Sequence, residues 1–451
     1  MTGYVAYVPV FEVPRVTTYD EKGDRRYDLW GRSLTWWRET DYYRHDWVLT
    51  SPQAHWGKDV RREMLVEDDR THIFFDSGGF MVGVGKFPGM EGSDFPVIGA
   101  NAFGGVTSAI DVSRWYERNA RKGDPCMILD APSWQIDPKL YAQTNSPTHS
   151  TVQGTEEEFE RALTKTVKNA EKMLELRRGN YDLFGVVQGA EPRLMDRWFN
   201  RLKRTGDFDG WAFSAKFNPA VYVMVLALGH HYSPNKPFHI LGHGGATMFC
   251  LAAYVANKTN NRITTDSSTA TRMSSGYQWY IPGTLKPFFV GGRTDWPDVP
   301  CDCPVCSYHG PDDFFSGIYE AKSLLTLHNL YQILGYVKLV NAVKGDREAL
   351  ERIAPKEVPP LLDALDYYFD HGLDALIRKA GDPEKGKRMT FASIARKFSQ
   401  GQTTLEEHDP TDLGMCNLCR KNPAEKEFRN DGNPEPLFLC SDCHGRLAVV
   451  R

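Results

Sequence analysis

The chain has 451 residues, 41% hydrophobic and 25% charged, which is an ordinary globular composition with room for one large domain and one or two small ones. No apolar run approaches the roughly 20 residues of a membrane span, and the start lacks a signal-peptide pattern, so we expect a cytoplasmic protein with no membrane partner. The formal net charge of −4 neither implies nor excludes a nucleic-acid partner.

Short apolar runs alternate with amphipathic stretches from about residue 70 onward. Six runs predict strands, namely HIFF (72–75), CMIL (126–129), LFGVV (183–187), WAF (211–213), FHIL (238–241) and RITT (262–265). Three stretches predict helices, at 154–180, 192–204 and 245–258. This alternation predicts a parallel α/β fold. No glycine-rich dinucleotide fingerprint follows these strands, which disfavours a nucleotide-binding Rossmann fold.

Polar or glycine-rich segments follow five of the predicted strands directly. In chain order they are DSGGF, DAPSW, QGAEP, GHGG and DSST. In a (β/α)₈ barrel the catalytic groups lie at the carboxyl ends of the strands. Three Asp and one Gln in such positions therefore indicate one shared site rather than helix caps alone. The predicted fold class is α/β, a (β/α)₈ TIM-type barrel.

The character of the sequence predicts four regions. Residues 1–65 form a mixed N-terminal segment, rich in aromatic and charged residues. Residues 66–345 form the barrel, with a zinc subdomain inserted at about 296–332. A helical segment with a proline break follows at 346–404, and residues 405–451 contain a linker and a Cys₄ zinc ribbon.

Seven of the nine cysteines fall into tight groups, which indicates metal binding in a reducing compartment. The first group is Cys301, Cys303 and Cys306, and a closed zinc site needs a fourth ligand. His309 follows too closely for comfortable geometry, whereas His328 lies in a helical stretch that can fold back over the loop, so His328 is favoured. A site with four protein ligands holds a structural zinc, which argues against a zinc hydrolase.

A second Cys₄ pattern lies near the end of the sequence. Its cysteines are Cys416, Cys419, Cys440 and Cys443. Their spacing predicts a zinc ribbon and a second Zn²⁺. Such ribbons either staple a small domain or contact nucleic acid, and the pattern leaves both roles open.

The motifs together resemble those of the tRNA-guanine transglycosylases, also called queuine tRNA-ribosyltransferases. The matching segments, in the family's order, are DSGGF (76–80), VVQGA (186–190), HILGHGG (239–245), the Asp of DSSTATR (266–272), and CxCxxC followed by HNL (301–330). The resemblance covers roughly residues 70–335. It implies a zinc-bearing (β/α)₈ barrel that exchanges guanine in a polynucleotide for a 7-deazaguanine.

The resemblance also implies roles for individual residues. Asp266 corresponds to the nucleophile, and Asp76 to the acid/base group beside the purine. The implied substrate-binding residues are Phe80, Asp130, Gln188, Gly189, Leu241 and Gly242. Of these, Asp130 and Gln188 would bind the purine edge, and Phe80 and Leu241 would hold its faces; without the resemblance the last two would be taken for core. The implied zinc ligands are Cys301, Cys303, Cys306 and His328.

The sequence departs from the tRNA enzymes at several of these motifs. Phe80-Met81 replaces their Tyr-Gln, Ala131-Pro132 replaces Glu-Cys, and GWAFSAK (210–216) replaces the GGLAVGE loop. With the unmatched N-terminus and the added ribbon, this pattern looks more like the DNA-guanine transglycosylases of phages and bacteria. DNA is therefore the favoured substrate, in a bacterial or phage-infected cell, and tRNA is the alternative.

Two carboxylates suffice for this base exchange. Asp266 would attack C1′ while Asp76 protonates the departing guanine, and Asp76 would then take the proton from N9 of the incoming base. Small hydroxyl neighbours of Asp266 leave room for the sugar. The target base must first leave its stack. No ATP or redox cofactor is required. A non-catalytic partner subunit is a third alternative, disfavoured because both acids are present.

Nucleic-acid binding also needs cations. Arg272 is either a phosphate contact or part of a surface salt bridge. Two basic regions could serve the same purpose: an arginine stripe (Arg193, Arg197, Arg201 and Arg204) and the run at 378–397. For the arginine stripe, a solvated helix face is somewhat favoured over phosphate binding. For the run at 378–397, the two interpretations are equally favoured. A free 7-deazaguanine base is the implied second substrate. A homodimer or a partner protein is left open, since the family's tRNA members often act as dimers.

Overall fold

The structure, a computed structural model, describes the greater part of the barrel. The described residues are 3–9, 46–55, 59–63, 71–79, 106–136, 139, 151–189, 191–214, 219–290, 301–314, 318–380, 398, 426–428 and 437–439. Among their helices, none combines the length and the apolar character needed to cross a bilayer.

Fourteen strands lie within the described residues. They are β1 (Tyr4–Pro9), β2 (Trp47–Thr50), β3 (His72–Phe75), β4 (Pro125–Met127), β5 (Trp134–Ile136), β6 (Thr151–Gln153), β7 (Asp182–Val187), β8 (Gly210–Ser214), β9 (Phe238–Leu241), β10 (Arg262–Ser267), β11 (Gln278–Tyr280), β12 (Pro287–Phe289), β13 (Lys426–Phe428) and β14 (Leu437–Leu439).

Eight of these strands form one parallel sheet, in the order β1-β10-β9-β8-β7-β4-β3-β2. The strands at the two ends of this order, β1 and β2, also contact each other, so the sheet curls into a nearly closed barrel. The other strands form three antiparallel pairs, β5-β6, β11-β12 and β13-β14. The predicted (β/α)₈ fold class is confirmed.

Helices follow most barrel strands and cover the sheet from outside. They are α1 (Pro52–His55), α2 (Val60–Glu63), α3 (Val106–Asn119), α4 (Glu156–Leu176), α5 (Pro192–Lys203), α6 (Pro219–Tyr232), α7 (Ala246–Thr259), α8 (Thr269–Ser275), α9 (Ile318–Ala342), α10 (Arg347–Ile353), α11 (Val358–His371) and α12 (Leu373–Ala380). A 3₁₀ turn spans Pro311–Phe314.

Local chemistry explains where the longest predicted helix between barrel strands begins. The Thr155 hydroxyl accepts a hydrogen bond from the Glu158 N–H at 3.3 Å, and the Glu158 carboxylate accepts one from the Thr155 N–H at 2.6 Å. This capping box satisfies two amides that a helix start otherwise leaves open. The apolar stripe of α4 then buries Phe159, Leu163 and Ala170 against the barrel.

All six strands predicted from sequence belong to the barrel, and the three helices predicted between them are α4, α5 and α7. The remaining two barrel strands, β1 and β2, come from the N-terminal residues that the sequence marks only as a mixed segment. Asn341 of α9 holds β1 from outside, because its amide accepts from the Val5 N–H at 3.0 Å and donates to the Val5 carbonyl at 2.7 Å. The domain boundaries themselves stay a prediction.

Candidate active site

Polar side chains lie at the carboxyl ends of several barrel strands, on the same strand face as buried residues that precede them. Residues two apart in a strand share a face. Phe74 therefore lies below Asp76, Val186 below Gln188, and Thr264 below Asp266, so that polar groups follow buried ones at the carboxyl ends of β3, β7 and β10. The barrel thus brings together side chains that are up to 190 positions apart in the sequence (Asp76 and Asp266).

Asp130 and Gln188 form a buried pair. The Gln188 Nε2 donates to Asp130 Oδ2, and the Gln188 Oε1 accepts from the Ser133 N–H at 2.8 Å. The Ser77 hydroxyl donates to Asp130 Oδ1 at 3.1 Å. A Cβ at Gly79 would lie 2.3 Å from Asp130 Oδ1, so the second glycine of DSGGF permits this close approach. These contacts fix both oxygens of the carboxylate and the orientation of the amide.

Asp76 is a carboxyl group set up to exchange protons near neutral pH. Burial raises its pKa to about 7, and the negative charges of Asp130 and Asp266 add to the rise. Backbone N–H groups of Gly78 and Ser77 oppose it only in part. Burial also raises the pKa of Asp130, while the hydrogen bond from Gln188 lowers it. A carboxyl group whose pKa is raised by burial and by neighbouring acids is typical of acid–base sites.

Asp266 is 6% exposed and receives two hydrogen bonds. His239 Nε2 lies 3.0 Å from its Oδ1, and the Gly242 N–H donates to the same oxygen at 2.8 Å. Gly242 has φ +76, a left-handed conformation that suits glycine and aims this N–H at the carboxylate. A buried carboxylate needs such donors to offset its loss of hydration.

The other sequence-predicted residues have different positions. Leu241 ends β9 half-buried beside this cluster, and Gly189 follows Gln188 with φ +140. Arg272 is exposed in α8, and none of the described carboxylates forms an ion pair with it. Phe80 lies outside the described residues.

The arginine stripe on α5 is engaged by acids of α4. Arg197 pairs with Glu156 at 2.6 Å and with Glu160 at 3.4 Å, and Arg201 pairs with Glu160 at 2.8 Å. Such partly exposed pairs are weak, yet they favour the solvated-face interpretation of the stripe. Of the basic run at 378–397, residues 381–397 lie outside the described part of the chain.

Four side chains converge into a cluster that could hold a metal ion. Cys301, Cys303, Cys306 and His328 place their donor atoms within 4.8 Å of one another. The three Sγ atoms lie 3.7, 3.4 and 3.3 Å from His328 Nδ1. A tetrahedral zinc with ordinary bond lengths separates S and N ligands by about 3.6 Å, so the donor set fits that metal.

Neighbouring groups orient the histidine of this cluster. His328 Nε2 lies 2.8 Å from the Tyr280 carbonyl, which fixes the proton on Nε2 and leaves Nδ1 free to ligate. Trp279 stacks on the imidazole at 4.6 Å. His309 lies elsewhere, with its Nδ1 3.3 Å from Asp313. The cluster therefore forms around the histidine favoured from sequence.

Replacing His328 by Ala is expected to weaken metal binding at this cluster by roughly 100-fold or more, because losing a metal ligand costs more than losing a group that only hydrogen-bonds to a ligand. His309→Ala is the matched control and should retain the metal. The metal content per chain after gel filtration, measured by inductively coupled plasma mass spectrometry, distinguishes the two variants. Equal loss in both variants would contradict this choice of ligand.

Fold and site together define a class: a (β/α)₈-barrel protein with paired carboxylates at its strand ends and a Cys₃His cluster beside the barrel. The family model described as queuine tRNA-ribosyltransferase matches residues 133–347, which include Gln188, Asp266 and His328. The match supports membership of the tRNA-guanine transglycosylase superfamily. Asp76 and Asp130 precede the matched segment.

Curated relatives with this similarity are archaeal tRNA-guanine(15) transglycosylases. The protein of Korarchaeum cryptofilum is 29% identical over 203 residues, covering 42% of this chain and 32% of the relative. That of Methanosarcina acetivorans is 27% identical over 237 residues, 47% of this chain and 44% of the relative. That of Methanococcus aeolicus is 25% identical over 253 residues, which cover 50% of this chain and 36% of the relative. The chain thus matches less than half the length of these relatives.

Sequence reasoning did not find His239, Ser77 or Ser133. His239 precedes Leu241 by two residues, so period-two alternation already places both on the same face of β9. The two serines are short polar residues next to recognised motifs and carry no signal of their own. Their part in the site depends on the distance between strand ends.

Proposed function

We propose that this chain is a guanine transglycosylase that exchanges guanine in DNA for a 7-deazaguanine base, such as 7-cyano-7-deazaguanine, through a covalent glycosyl-aspartate. One observation carries the proposal. A carboxyl group with a pKa of about 7, Asp76, lies within electrostatic reach of Asp266, a carboxylate held by two N–H donors. An acid/base group beside a fixed nucleophile is what a double displacement at C1′ requires.

In the first displacement, an Asp266 oxygen forms a bond to C1′ as the bond from C1′ to N9 of guanine breaks. The electron pair of that bond leaves with guanine, and the proton of Asp76 neutralises the departing base. Asp76 ends this step ionised, and Asp266 ends it as a glycosyl ester. Its pKa of about 7 allows Asp76 to hold the needed proton in a large share of molecules at neutral pH.

In the second displacement, the proton moves back to the same side chain. Asp76 takes the N9 proton of the incoming 7-deazaguanine, whose N9 then attacks C1′, and the ester electron pair returns to Asp266. The two steps invert the sugar twice, so the configuration at C1′ is retained. Both catalytic groups recover their starting protonation, and the reaction consumes no cofactor.

Asp130 and Gln188 would bind the edge that both bases share. The carboxylate can accept from N1–H and from the 2-amino group, because each oxygen has capacity beyond its single contact with Ser77 or Gln188. Gln188 uses one amide proton on Asp130, and the second can go to O6 of the base. Leu241 and Phe80 would cover the faces of the flipped base.

DNA is favoured over tRNA because the sequence departs from the tRNA enzymes where they contact the base and its 7-substituent. The names of the curated relatives favour tRNA as the second candidate. Arg272, exposed and without a carboxylate partner among the described residues, would contact a phosphate of either nucleic acid.

Zinc is the proposed metal of the Cys₃His cluster, where it would tie the cysteine loop to α9 without taking part in the reaction. The four ribbon cysteines, Cys416, Cys419, Cys440 and Cys443, lie outside the described residues, so the second zinc and its ribbon stay a prediction. The strands β13 and β14 pair between the two cysteine pairs of this segment. A homodimer, or a partner protein, also stays open.

The test is base exchange by the purified chain. Labelled guanine and labelled 7-cyano-7-deazaguanine are supplied separately with duplex DNA, single-stranded DNA or unmodified tRNA, and polymer-bound label is counted after acid precipitation. We expect label to enter DNA and not tRNA. Label in tRNA alone would keep the reaction and overturn the DNA substrate, and label in none would contradict the reaction itself.

A further inference from the structure

Both hydrogen bonds to Asp266 fall on the same oxygen. His239 Nε2 and the Gly242 N–H reach Oδ1 at 3.0 and 2.8 Å. No donor among the described residues contacts Oδ2. The carboxylate is therefore asymmetric: Oδ1 is fixed by two contacts within the protein, and Oδ2 has none from the described residues.

The proton on His239 follows from its two neighbours. Its Nδ1 lies 2.8 Å from the Thr264 hydroxyl, and its Nε2 faces a carboxylate oxygen, which can only accept. The single hydroxyl proton of Thr264 has two acceptors, Nδ1 at 2.8 Å and the Phe238 carbonyl at 3.5 Å. The shorter contact favours donation to Nδ1. The Nε2 of His239 then carries a proton that is directed to Asp266.

Packing holds the hydrogen-bond relay Thr264–His239–Asp266 in one geometry. Thr264 and His239 are direct partners in the pairing of β10 with β9, and both are buried inside the barrel. The ring of Phe74 covers the imidazole, with centroids 4.6 Å apart and planes 31° apart. The imidazole is 0% exposed, so water cannot replace either partner. A buried polar pair held in this way suits a role that apolar packing does not supply.

We propose that His239 is a positioning residue, set by Thr264, that fixes Asp266 Oδ1 so that Oδ2 attacks the sugar. This inference rests on the proposed role of Asp266 as nucleophile. As C1′ bonds to Oδ2, the charge on Asp266 is lost and Oδ1 becomes the ester carbonyl oxygen. When the C1′–Oδ2 bond breaks, its electron pair returns to the carboxylate, and the N–H groups of His239 and Gly242 receive the charge. His239 keeps its proton throughout.

The two donors therefore assist breakdown of the ester more than its formation. In formation they stabilise the carboxylate before attack, which opposes the step, although they also orient it. In breakdown they stabilise the developing charge, which favours the step. Removal of the His239 donor should slow exchange and should also raise the share of enzyme present as the covalent adduct. A role confined to packing would not change that share.

The experiment compares His239→Leu, His239→Gln and Thr264→Val with wild type. The Gln amide nitrogen can take the place of Nε2, and its oxygen can accept from Thr264. We expect exchange to fall roughly 10- to 100-fold in His239→Leu, with more adduct at steady state, and about 10-fold or less in Thr264→Val. His239→Gln should recover most of the activity and the wild-type adduct share. Thermal unfolding checks that each variant is folded.

Two results would overturn the proposal: exchange by His239→Leu at the wild-type rate, or equal impairment of the Leu and Gln variants when both are folded. Should His239→Leu fail to fold, Thr264→Val and His239→Gln still test the relay. NMR of the wild-type protein labelled with ¹⁵N-histidine tests the position of the proton without any activity measurement. The His239 resonances are those that are absent in His239→Gln. They should show the proton on Nε2, and a proton on Nδ1 would contradict the relay. Wild type inactive on every nucleic acid would instead count against the proposed function.

Discussion

Asp266→Asn is expected to lower base exchange by roughly 10⁴-fold or more, because an amide cannot form the glycosyl ester through which both displacements pass. Asn keeps the shape of Asp, and its Oδ1 can still accept from His239 and Gly242. The substitution therefore removes the anionic nucleophile and leaves the hydrogen bonds at its base. Exchange of labelled guanine into nucleic acid, followed at a fixed enzyme concentration, measures the loss.

The control for this variant separates catalysis from folding. Asp182→Asn makes the same chemical change at the start of β7, at the opposite end of the barrel, and should retain exchange. Asp266→Asn should bind nucleic acid within a few-fold of wild type, since the mouth keeps its form. Exchange above a tenth of the wild-type rate in Asp266→Asn would place the nucleophile elsewhere.

Asp76→Asn is expected to lower exchange by roughly 10²- to 10⁴-fold, the usual range for a lost general acid–base group. The wild-type rate should peak near pH 7. Guanine departure needs protonated Asp76, and proton removal from the incoming base needs the ionised form, and burial has raised the pKa of this group to about 7. The rate of Asp76→Asn should lose this pH dependence, whereas Asp76→Glu should keep a titrating limb.

The same variant, Asp76→Asn, should also change how the free energy of unfolding depends on pH. The folded protein holds the Asp76 proton more tightly than the unfolded chain does, so the free energy of unfolding falls as pH rises from about 4 to about 7. Asn has no such loss. Asp76→Asn should match wild type near pH 4 and exceed it at pH 8 by up to about 4 kcal/mol, less as far as solvent reaches the group. A variant that is less stable at pH 8 would contradict the raised pKa.

The barrel was predictable wherever its strands are apolar and end in turn residues. LFGVV before QGAEP and RITT before DSST each have a buried run and a polar end, and both became barrel strands with a site residue at the carboxyl end. β1 and β2 were not predictable in this way. YVAYVP and WVLT are short, flank a long stretch of aromatic and charged residues, and depend on pairing with distant strands.

The site was predictable residue by residue but not contact by contact. Motifs named Asp76, Asp130, Gln188 and Asp266, because acids and amides after strands converge in a barrel. The hydrogen bond from Gln188 to Asp130 and the contact of His239 with Asp266 depend on strand register and side-chain direction. Sequence spacing does not predict either contact. The cysteine cluster was the opposite case, since ligand chemistry limits its geometry so strongly that His328 could be chosen over His309.

Asp266 is proposed to carry the sugar between the two bases, and locating the covalent bond tests this role. Wild type is mixed with the nucleic acid that supports exchange, without an incoming base, quenched with acid and digested, and the peptides are analysed by mass spectrometry. We predict a nucleotide lacking its guanine attached to the peptide at Asp266, and absent in Asp266→Asn. Exchange that proceeds with the nucleotide on another residue, or with none bound to protein, would show that Asp266 is not the nucleophile.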